Sequence, residues 1–447
     1  MHTLLIRPDQ GFDYDWSTQQ LYWKDLLRRP TRAVKCLSDN GQQAPPFYFQ
    51  TNAIFEPKNT LTNVYPYMRI RVSAPVEIQN LLPYDFKYRI YDKNTKKDWT
   101  NFLRKGGISP VHVVELSHLL LLSIDLEDTV FRQSEFAIIN GNAQDFRREH
   151  VISLKDDLGN PLKLQLYYFN VRDSGGAFKV SVYSPYLVLN KTGLDMEIQS
   201  KGFLQANRPA AGRELQPDPR NGGRTLPFMY SYLTEDKKNR SLLKIADSAW
   251  SRPQSFEAIG STFEVTLPDR RGRSELNVGV SVVEGEGKYK MTKVVNVAPR
   301  FILKNKLNED LLVREPGSSS VLHFVTGALL PLHFLQQTPE KQLCLCFPGV
   351  NNQWSSAFNI ADLGTVHVKL AKASQRQRLV KVDVIMEGAT LFLHFSPETR
   401  NWPYSMRNES DAEILFYQAV SDFFFFFFFF FPVWLVLKGS PLESECG

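Results

Sequence analysis

The 447-residue sequence is poor in cysteine and has only a small excess of one charge. The four cysteines are Cys36, Cys344, Cys346 and Cys446. They form no Cys-x-x-Cys pair, which argues against a disulfide framework and a zinc site and favours a reducing compartment. With 53 basic and 47 acidic residues the net charge is +6, which does not by itself indicate a nucleic-acid-binding protein. The N-terminus lacks the apolar run of a signal peptide.

The common enzyme signatures are also missing. There is no Gly-x-Ser-x-Gly elbow, no phosphate-binding glycine-rich loop and no dinucleotide-binding motif. His112, Glu115 and His118 do not have the spacing of a zinc-binding helix, and on one strand the two histidines would lie about 20 Å apart. We interpret them as ordinary strand residues. We therefore predict no catalytic residue, no metal, no cofactor and no small-molecule substrate.

What the sequence does contain is an internal repeat of about 110 residues. A proline begins each repeat segment, at Pro75, Pro185, Pro299 and Pro403. An asparagine follows five or six residues later, at Asn80, Asn190, Asn305 and Asn408. An acid follows five residues after each asparagine, at Asp85, Asp195, Asp310 and Glu413. A second landmark in the same phase is an aromatic residue, at Trp16, Phe131, Trp250 and Trp354.

Apolar and polar residues alternate within the repeats, as in "VHVKLA" and "VKVDVIM". This period of two predicts short strands, which turn signals such as "DSGG" and "EGEG" separate. The expected fold is all-β, a tandem array of small β-sandwich-like repeats. The leucine run "LLLLSI" aligns with "LCLCF" in a later repeat, so we predict a strand there and place Cys344 and Cys346 in a core.

The repeats divide the chain into six expected parts. These are the tail of a preceding β repeat at 1–73, β repeats at 74–184, 185–298 and 299–402, the start of a truncated repeat at 403–421, and a poly-phenylalanine tail at 422–447. The uncharged run within the tail, 423–437, is shorter than the roughly 20 residues of a membrane helix, and Pro432 interrupts it. We interpret the tail as non-native sequence read from a retained intron, or as disordered; a membrane segment is the alternative.

Two sets of polar residues have both a structural and a functional interpretation. An asparagine amide can bond to the backbone of a bend, so each repeat asparagine is expected to pin the first hairpin of its repeat, to form or directly support a groove that receives a peptide, or both. The basic clusters are typical of a solvated surface, or they contact an anionic membrane, which would contribute about 1 kcal/mol per basic residue. The candidate lipid-contact residues are Arg28, Arg29, Arg32, Arg270 and Arg271.

The phased asparagines and the segment "YPYMRIRVSAPVEIQNLLPYDFKYRIYDK" resemble the adaptor-binding region of the vacuolar protein sorting-associated protein 13 family, also called the SHR-binding domain. The resemblance covers roughly residues 10–420. It implies that Asn80, Asn190, Asn305 and Asn408 are the repeat asparagines of this family. It also implies a scaffold region of a large lipid-transfer protein at membrane contact sites.

The resemblance further implies the partners. In the family, six β repeats recruit the protein to organelles by binding Pro-x-Pro peptide motifs of membrane adaptors. The expected localisation is cytoplasmic and peripheral on organelle membranes, at endosome, vacuole and mitochondrion contact sites. The family's peptide engages late repeats that have no counterpart in this sequence, which leaves open whether the principal groove is present. The alternative function is binding of anionic phospholipids through the basic patches.

Overall fold

The segments with alternating apolar and polar residues form β-strands, because successive side chains of a strand point to opposite faces and one face is buried. Helical structure in the described part is limited to α1 (Trp23–Arg28) and a 3-10 turn at Gly287–Tyr289. The predicted all-β class is confirmed. The computed structural model describes residues 3–9, 13–38, 44–56, 67–139, 148–157, 159–201, 227–232, 238–270, 272–349, 353–372, 375–398, 409–410, 412, 414–416 and 435–437.

The chain divides into two compact units. One comprises Met1–Phe301, Leu332–Gln337 and Glu387–Thr390, and the other comprises Ile302–Pro331, Thr338–Met386 and Leu391–Gly447. This division is coarser than the predicted repeats, whose boundaries stay predictions. None of the helices within the described ranges is long and apolar enough to cross a bilayer.

The residues before Pro75 form a small core around α1. The strands are β1 (Thr3–Leu4), β2 (Leu21–Tyr22), β3 (Thr31–Cys36), β4 (Phe47–Glu56) and β5 (Tyr67–Ser73). β1 pairs with β2, and β3, β4 and β5 form an antiparallel sheet. Leu21, Leu26 and Val34 are buried together between these elements. Gln50 and Asn52 of β4 donate hydrogen bonds to the carbonyl oxygens of Gly175 and Asp173, which join this segment to the residues that follow.

The next segment is a β-sandwich. Its strands are β6 (Val76–Asn80), β7 (Phe86–Asp92), β8 (Lys97–Leu103), β9 (Ile108–Val111), β10 (Leu120–Leu126), β11 (Ala137–Ile138), β12 (Glu149–Lys155), β13 (Pro161–Asn170) and β14 (Phe178–Tyr183). One sheet has the order β12-β13-β14-β6-β9, and the other has the order β11-β10-β7-β8. Ile78 and Val180 from the first sheet and Phe86 and Leu122 from the second share one buried cluster. The leucine run is therefore a strand, β10, as predicted.

A second sandwich follows. Its strands are β15 (Tyr186–Asn190), β16 (Met196–Ser200), β17 (Phe228–Tyr230), β18 (Arg240–Ile245), β19 (Gln254–Ser255), β20 (Thr262–Pro268), β21 (Ser274–Glu284) and β22 (Lys293–Pro299). The larger sheet has the order β17-β15-β22-β21-β20, and β16, β18 and β19 form the facing sheet. Val188 and Val280 of the larger sheet and Ile198 and Leu243 of the smaller one belong to one core.

The third set of strands repeats this plan. They are β23 (Phe301–Asn305), β24 (Leu311–Arg314), β25 (Leu322–Phe324), β26 (Leu329–Leu332), β27 (Phe334–Gln336), β28 (Gln342–Cys346), β29 (Phe358–Asn359), β30 (Gly364–Lys372), β31 (Gln375–Glu387) and β32 (Thr390–Pro397). The sheets are β26-β23-β32-β31-β30 and β25-β24-β28-β29, while β27 pairs with β21. Phe395 of one sheet packs edge-on against Phe324 of the other, with 5.6 Å between ring centroids. Cys344 and Cys346 are buried in β28.

The larger sheets share one strand order. From edge to edge they read β12-β13-β14-β6-β9, β20-β21-β22-β15-β17 and β30-β31-β32-β23-β26. The first strand of a sandwich lies parallel to its last strand, β6 beside β14 and β15 beside β22. Parallel neighbours cannot be joined by a hairpin, so the chain passes through the facing sheet before it returns. The sequence repeat is therefore a repeat of topology.

The structure corrects one expectation, and another falls outside the described residues. The segment with His112, Glu115 and His118 is not a strand but a loop between β9 and β10, so that interpretation was wrong. The alternation of apolar and polar residues in this segment is too short to distinguish a strand from a loop. The poly-phenylalanine run lies outside the described residues. Within the tail only β34 (Leu435–Leu437) is described, and it pairs antiparallel with β33 (Ile414–Phe416).

Gly279 marks a close backbone approach. It is buried in the middle of β21, and a Cβ at this position would overlap the carbonyl group of Ala389. We predict that Gly279→Ala lowers the free energy of unfolding by about 1–3 kcal/mol, because the overpacked carbonyl must move. Urea denaturation measures this difference, and Ser281→Ala on the same strand is the control. Equal stability of Gly279→Ala and the unmodified chain would show that the approach is not tight.

Candidate functional site

The side chain of Asn80 closes the loop between the first two strands of its sandwich. Its Nδ2 donates to the carbonyl oxygens of Tyr84 at 2.9 Å and Leu103 at 3.2 Å, and its Oδ1 accepts the N–H of Leu82 at 2.9 Å. The residue is fully buried. Both amide protons are thus used by the chain itself, and the loop after β6 is joined to the end of β8.

Asn305 makes the same three bonds. Its Nδ2 donates to the carbonyl oxygens of Glu309 at 3.0 Å and Phe324 at 3.1 Å, and its Oδ1 accepts the N–H of Leu307 at 2.9 Å. The acid of each repeat adds a further bond, since Asp85 accepts from the N–H of Lys105 and Asp310 from that of Thr326. We call this arrangement the asparagine clamp.

The clamp of Asn190 is a variant. Its Nδ2 donates to the carbonyl oxygen of Leu194 at 2.7 Å, and its Oδ1 accepts from both the N–H and the hydroxyl of Thr192. The edge-strand position equivalent to the end of β8 falls within 202–226, outside the described residues. Asn408 and Pro403 also lie outside them.

The clamp positions the edge of a sheet. Leu103 is the last residue of β8, and Phe324 is the last residue of β25. Both strands are outermost in their four-stranded sheets. An edge strand presents backbone N–H and C=O groups that can pair with an added strand. The buried amide therefore holds in place a backbone that another chain could join.

The proline and tryptophan landmarks lie at the strand changes. Pro75 accepts a hydrogen bond from the N–H of Phe178, and Pro185 accepts one from the N–H of Lys293. Pro299 ends β22 and accepts a hydrogen bond from the hydroxyl of Thr390. Trp250 and Trp354 are half-buried, each beneath a cation: Lys244 lies 5.9 Å from the Trp250 ring and Arg314 lies 4.2 Å from that of Trp354. These residues stabilise the sandwich rather than form a pocket.

Serine residues form a second repeated clamp that the sequence reading missed. The backbone N–H of each serine donates to a carbonyl oxygen, and the N–H of that same partner residue donates to the serine Oγ. The pairs are Ser17 with Ile6, Ser134 with Ile124, Ser251 with Leu243, and Ser355 with Leu345. Three of these serines directly follow a tryptophan of the aromatic landmark. The fourth follows Gln133, so Phe131 is not the counterpart of the tryptophans.

The loop histidines have structural partners. His112 stacks on Phe47 with 4.1 Å between ring centroids, and its Nδ1 lies 2.9 Å from the carbonyl oxygen of Tyr48. His118 lies 2.7 Å from the carboxylate of Asp92. Burial opposes ionisation of Asp92, but its hydrogen bonds with His118 and with the 94–95 turn outweigh this and lower its pKa. Within the described ranges no three His, Cys, Asp or Glu residues are grouped to hold a metal ion.

The basic residues proposed for lipid contact are spread over two regions. Arg28 and Arg29 are exposed at the end of α1, whereas Arg32 is half-buried in β3. Arg270 is exposed in the turn between β20 and β21. Arg271 lies outside the described residues.

Repeated sandwiches with one strand order, each with an asparagine clamp at the end of its first strand where that strand is described, define a tandem-repeat all-β protein. A family model described as "Vacuolar-sorting associated protein 13, adaptor binding domain" matches residues 1–423. The chain belongs to this family, which confirms the resemblance predicted from the sequence.

The relatives are much longer proteins. The intermembrane lipid transfer protein VPS13 of Chaetomium thermophilum is 54% identical over 419 residues, which cover 93% of this chain and 13% of that relative. VPS13D of Homo sapiens is 23% identical over 364 residues, 77% of this chain and 8% of the relative. VPS13C of Mus musculus is 24% identical over 389 residues, 81% of this chain and 9% of the relative. The chain thus spans a small part of each relative.

The clamp predicts a local stability effect. Asn305→Ala removes the side-chain partner of the buried Phe324 carbonyl and Leu307 N–H and of the part-buried Glu309 carbonyl, so we expect a loss of about 1–3 kcal/mol in the free energy of unfolding. Asn308→Ala, an exposed position in the same loop, is the matched control and should change it by less than about 0.5 kcal/mol. Equal effects of the two substitutions in urea denaturation would contradict the clamp.

Asp92 predicts a pH effect. Because folding lowers its pKa below the ordinary value of 3.8, its ionised form stabilises the fold above that pH, and this contribution is lost as the pH falls below it. We expect Asp92→Asn to cost about 1–3 kcal/mol at neutral pH and less below about pH 3. Urea midpoints at both pH values measure the difference. Asp98→Asn, at an exposed ion pair, is the control, and a cost for Asp92→Asn that is independent of pH would contradict the assignment.

Proposed function

We propose that this domain is a non-enzymatic adaptor-binding scaffold that captures Pro-x-Pro peptide motifs of membrane adaptors. In this way it recruits a larger lipid-transfer protein to organelle membranes at contact sites, from the cytoplasmic side, with endosomes, vacuole and mitochondria as the candidate organelles. The observation that carries the proposal is the clamp, in which a buried repeat asparagine holds the end of an outermost strand.

The edge best suited to a peptide is β8. It has seven residues, whereas β25 has three. Its outward residues are largely exposed, Phe102 among them at 44%, and Trp99 packs partly against the core beside it. Phe102 points away from the core, beside an edge that no other described strand pairs with. Such an edge offers backbone pairing for affinity, and Phe102 offers apolar contact for a proline ring.

The Pro-x-Pro spacing fits addition at an edge. In an antiparallel pair, alternate residues point their N–H and C=O groups to the partner and away from it. Prolines two apart can therefore both face solvent, where their missing N–H costs no ladder bond. The residue between the two prolines then pairs both its N–H and its C=O group with the edge strand. Two adjacent prolines could not satisfy this requirement.

The repeat asparagines would act indirectly. Asn80 and Asn305 are buried and their amide protons are already donated within the chain, so they are not positioned to touch a peptide. Their substitution would displace the edge instead. Since the clamps of Asn80 and Asn305 are built alike, an edge that receives a peptide in one of these repeats has a counterpart in the other.

A labelled Pro-x-Pro peptide tests the proposal by fluorescence anisotropy. The N–H of Phe102 bonds to the side chain of its neighbour Asn101 rather than to β7, so even-numbered N–H groups of β8 face the open edge. Thr100→Pro removes one such donor without touching the β7 pairing. We expect it to weaken binding at least about tenfold, because one or more backbone bonds are lost.

Two controls make the outcome specific. Thr100→Ala keeps the N–H and should bind like the unmodified chain, and a peptide with its two prolines adjacent should bind at least about tenfold more weakly. Failure of the unmodified chain to bind, or equal binding by Thr100→Pro, would refute the site at β8. Salt-sensitive binding to anionic vesicles that depends on Arg28, Arg29 and Arg270 would favour the alternative function, a peripheral module for anionic phospholipids.

A further inference from the structure

A basic groove lies on the outer face of the first sandwich. Its volume is about 680 Å³, which is the size of a small-molecule site. Its floor is the outward row of β6 and β14, where Glu77 lies opposite Lys179 and Gln79 lies opposite Ser181. The turn that joins β21 to β22 forms one wall. All these segments belong to one compact unit.

Four cations line this groove and one acid accompanies them. The cations are Arg71, Lys179, Lys288 and Lys290, and the acid is Glu77. Four positive charges and one negative charge leave a formal charge of +3. None of these five side chains forms an ion pair with any described residue, although elsewhere in the chain Lys87, Arg89 and Lys244 are paired. The groove therefore concentrates unneutralised positive charge.

Lys288 has a close aromatic contact. Its ammonium lies 4.9 Å from the Tyr289 ring, and it lines the groove together with the Gly106 turn. Burial lowers its pKa, and the positive charge of Lys105 adds to this effect while Asp85 opposes it. An anion in the groove would favour the charged form of this lysine, so binding and charge would support each other.

The remaining lining suits a compact polar molecule. The hydroxyl of Ser181 donates to Oε1 of Gln79 at 3.0 Å, which turns the amide and leaves its Nε2 as a donor for the groove. Phe169 is 41% exposed at one side, beneath Lys179. Several cations around a recessed space match a molecule with several phosphate groups better than a single carboxylate. A flat bilayer surface would not fill such a recess.

We propose that this groove binds a compact organic polyphosphate, a small ring that bears several phosphate groups. The cations come from β5, β14 and the β21–β22 turn, which are far apart in the sequence. A bound polyphosphate would therefore join these segments and raise the stability of the folded unit by linkage. The groove uses side-chain charge, whereas the β8 edge uses backbone groups, so substitutions of the groove lysines and of Thr100 test the two sites separately.

Inositol hexakisphosphate is the probe for a soluble organic polyphosphate. We expect saturable binding to the full chain by calorimetry and a rise in melting temperature. The double variant Lys288→Gln/Lys290→Gln should bind at least about tenfold more weakly. Lys304→Ala/Lys369→Ala removes two exposed lysines outside the groove and should bind like the unmodified chain. Lys179→Ala provides a second test if the first variant does not fold.

Vesicle binding distinguishes a lipid headgroup from a free molecule as the source of the polyphosphate group. Binding to vesicles that contain a polyphosphorylated inositol lipid, displaced by the soluble probe, would assign the site to a lipid headgroup. Binding of the soluble probe without vesicle binding would assign it to a free molecule. Any of four results would overturn the proposal. Two concern the probe: equal affinity of both double variants, or no binding at millimolar concentration. The other two are equal binding to vesicles with simple anionic lipids, and capture of phosphopeptides but not of the probe.

Discussion

In each fully described clamp, the side-chain amide of a buried asparagine bonds to backbone groups where the chain leaves the first strand of its sandwich. Asn80 and Asn305 each satisfy three backbone groups that would otherwise lie unpaired in a buried loop. A buried backbone group without a partner costs free energy comparable to a hydrogen bond. Because one of the three bonds reaches an outermost strand, the loop and the sheet edge are positioned together.

The repeated sandwiches leave two kinds of surface available to partners. Each sandwich buries its own core between two sheets, and the same strand order recurs. The inward faces of the sheets are buried in these cores, so the surfaces that remain for partners are the sheet edges and the outer faces. β8 represents the first kind of surface and the groove at Lys179 and Lys288 the second. The two surfaces suit different chemistry: an extended peptide pairs with backbone groups, and a polyanion requires converging cations.

Much of this architecture could be predicted from the sequence. The period-two alternation located the strands, and the phased prolines and asparagines marked the first strand of each repeat. The first strands end at Asn80, Asn190 and Asn305. The prediction was wrong for the His112–His118 segment, where the alternation is too short to separate a loop from a strand. The serine clamp was missed because in the first full sandwich Gln133, and not a tryptophan, precedes Ser134.

The sequence by itself determined the strands, the repeat and the family, because strand alternation and turn residues act between neighbours in the chain. Only the tertiary structure decided which distant backbone groups and side chains meet. The Asn80 amide reaches a carbonyl 23 residues away, and that of Asn305 reaches one 19 residues away. Arg71, Lys179 and Lys288 meet in one groove although about a hundred residues separate each from the next. Such contacts depend on how sheets pack, and no local pattern of residues specifies them.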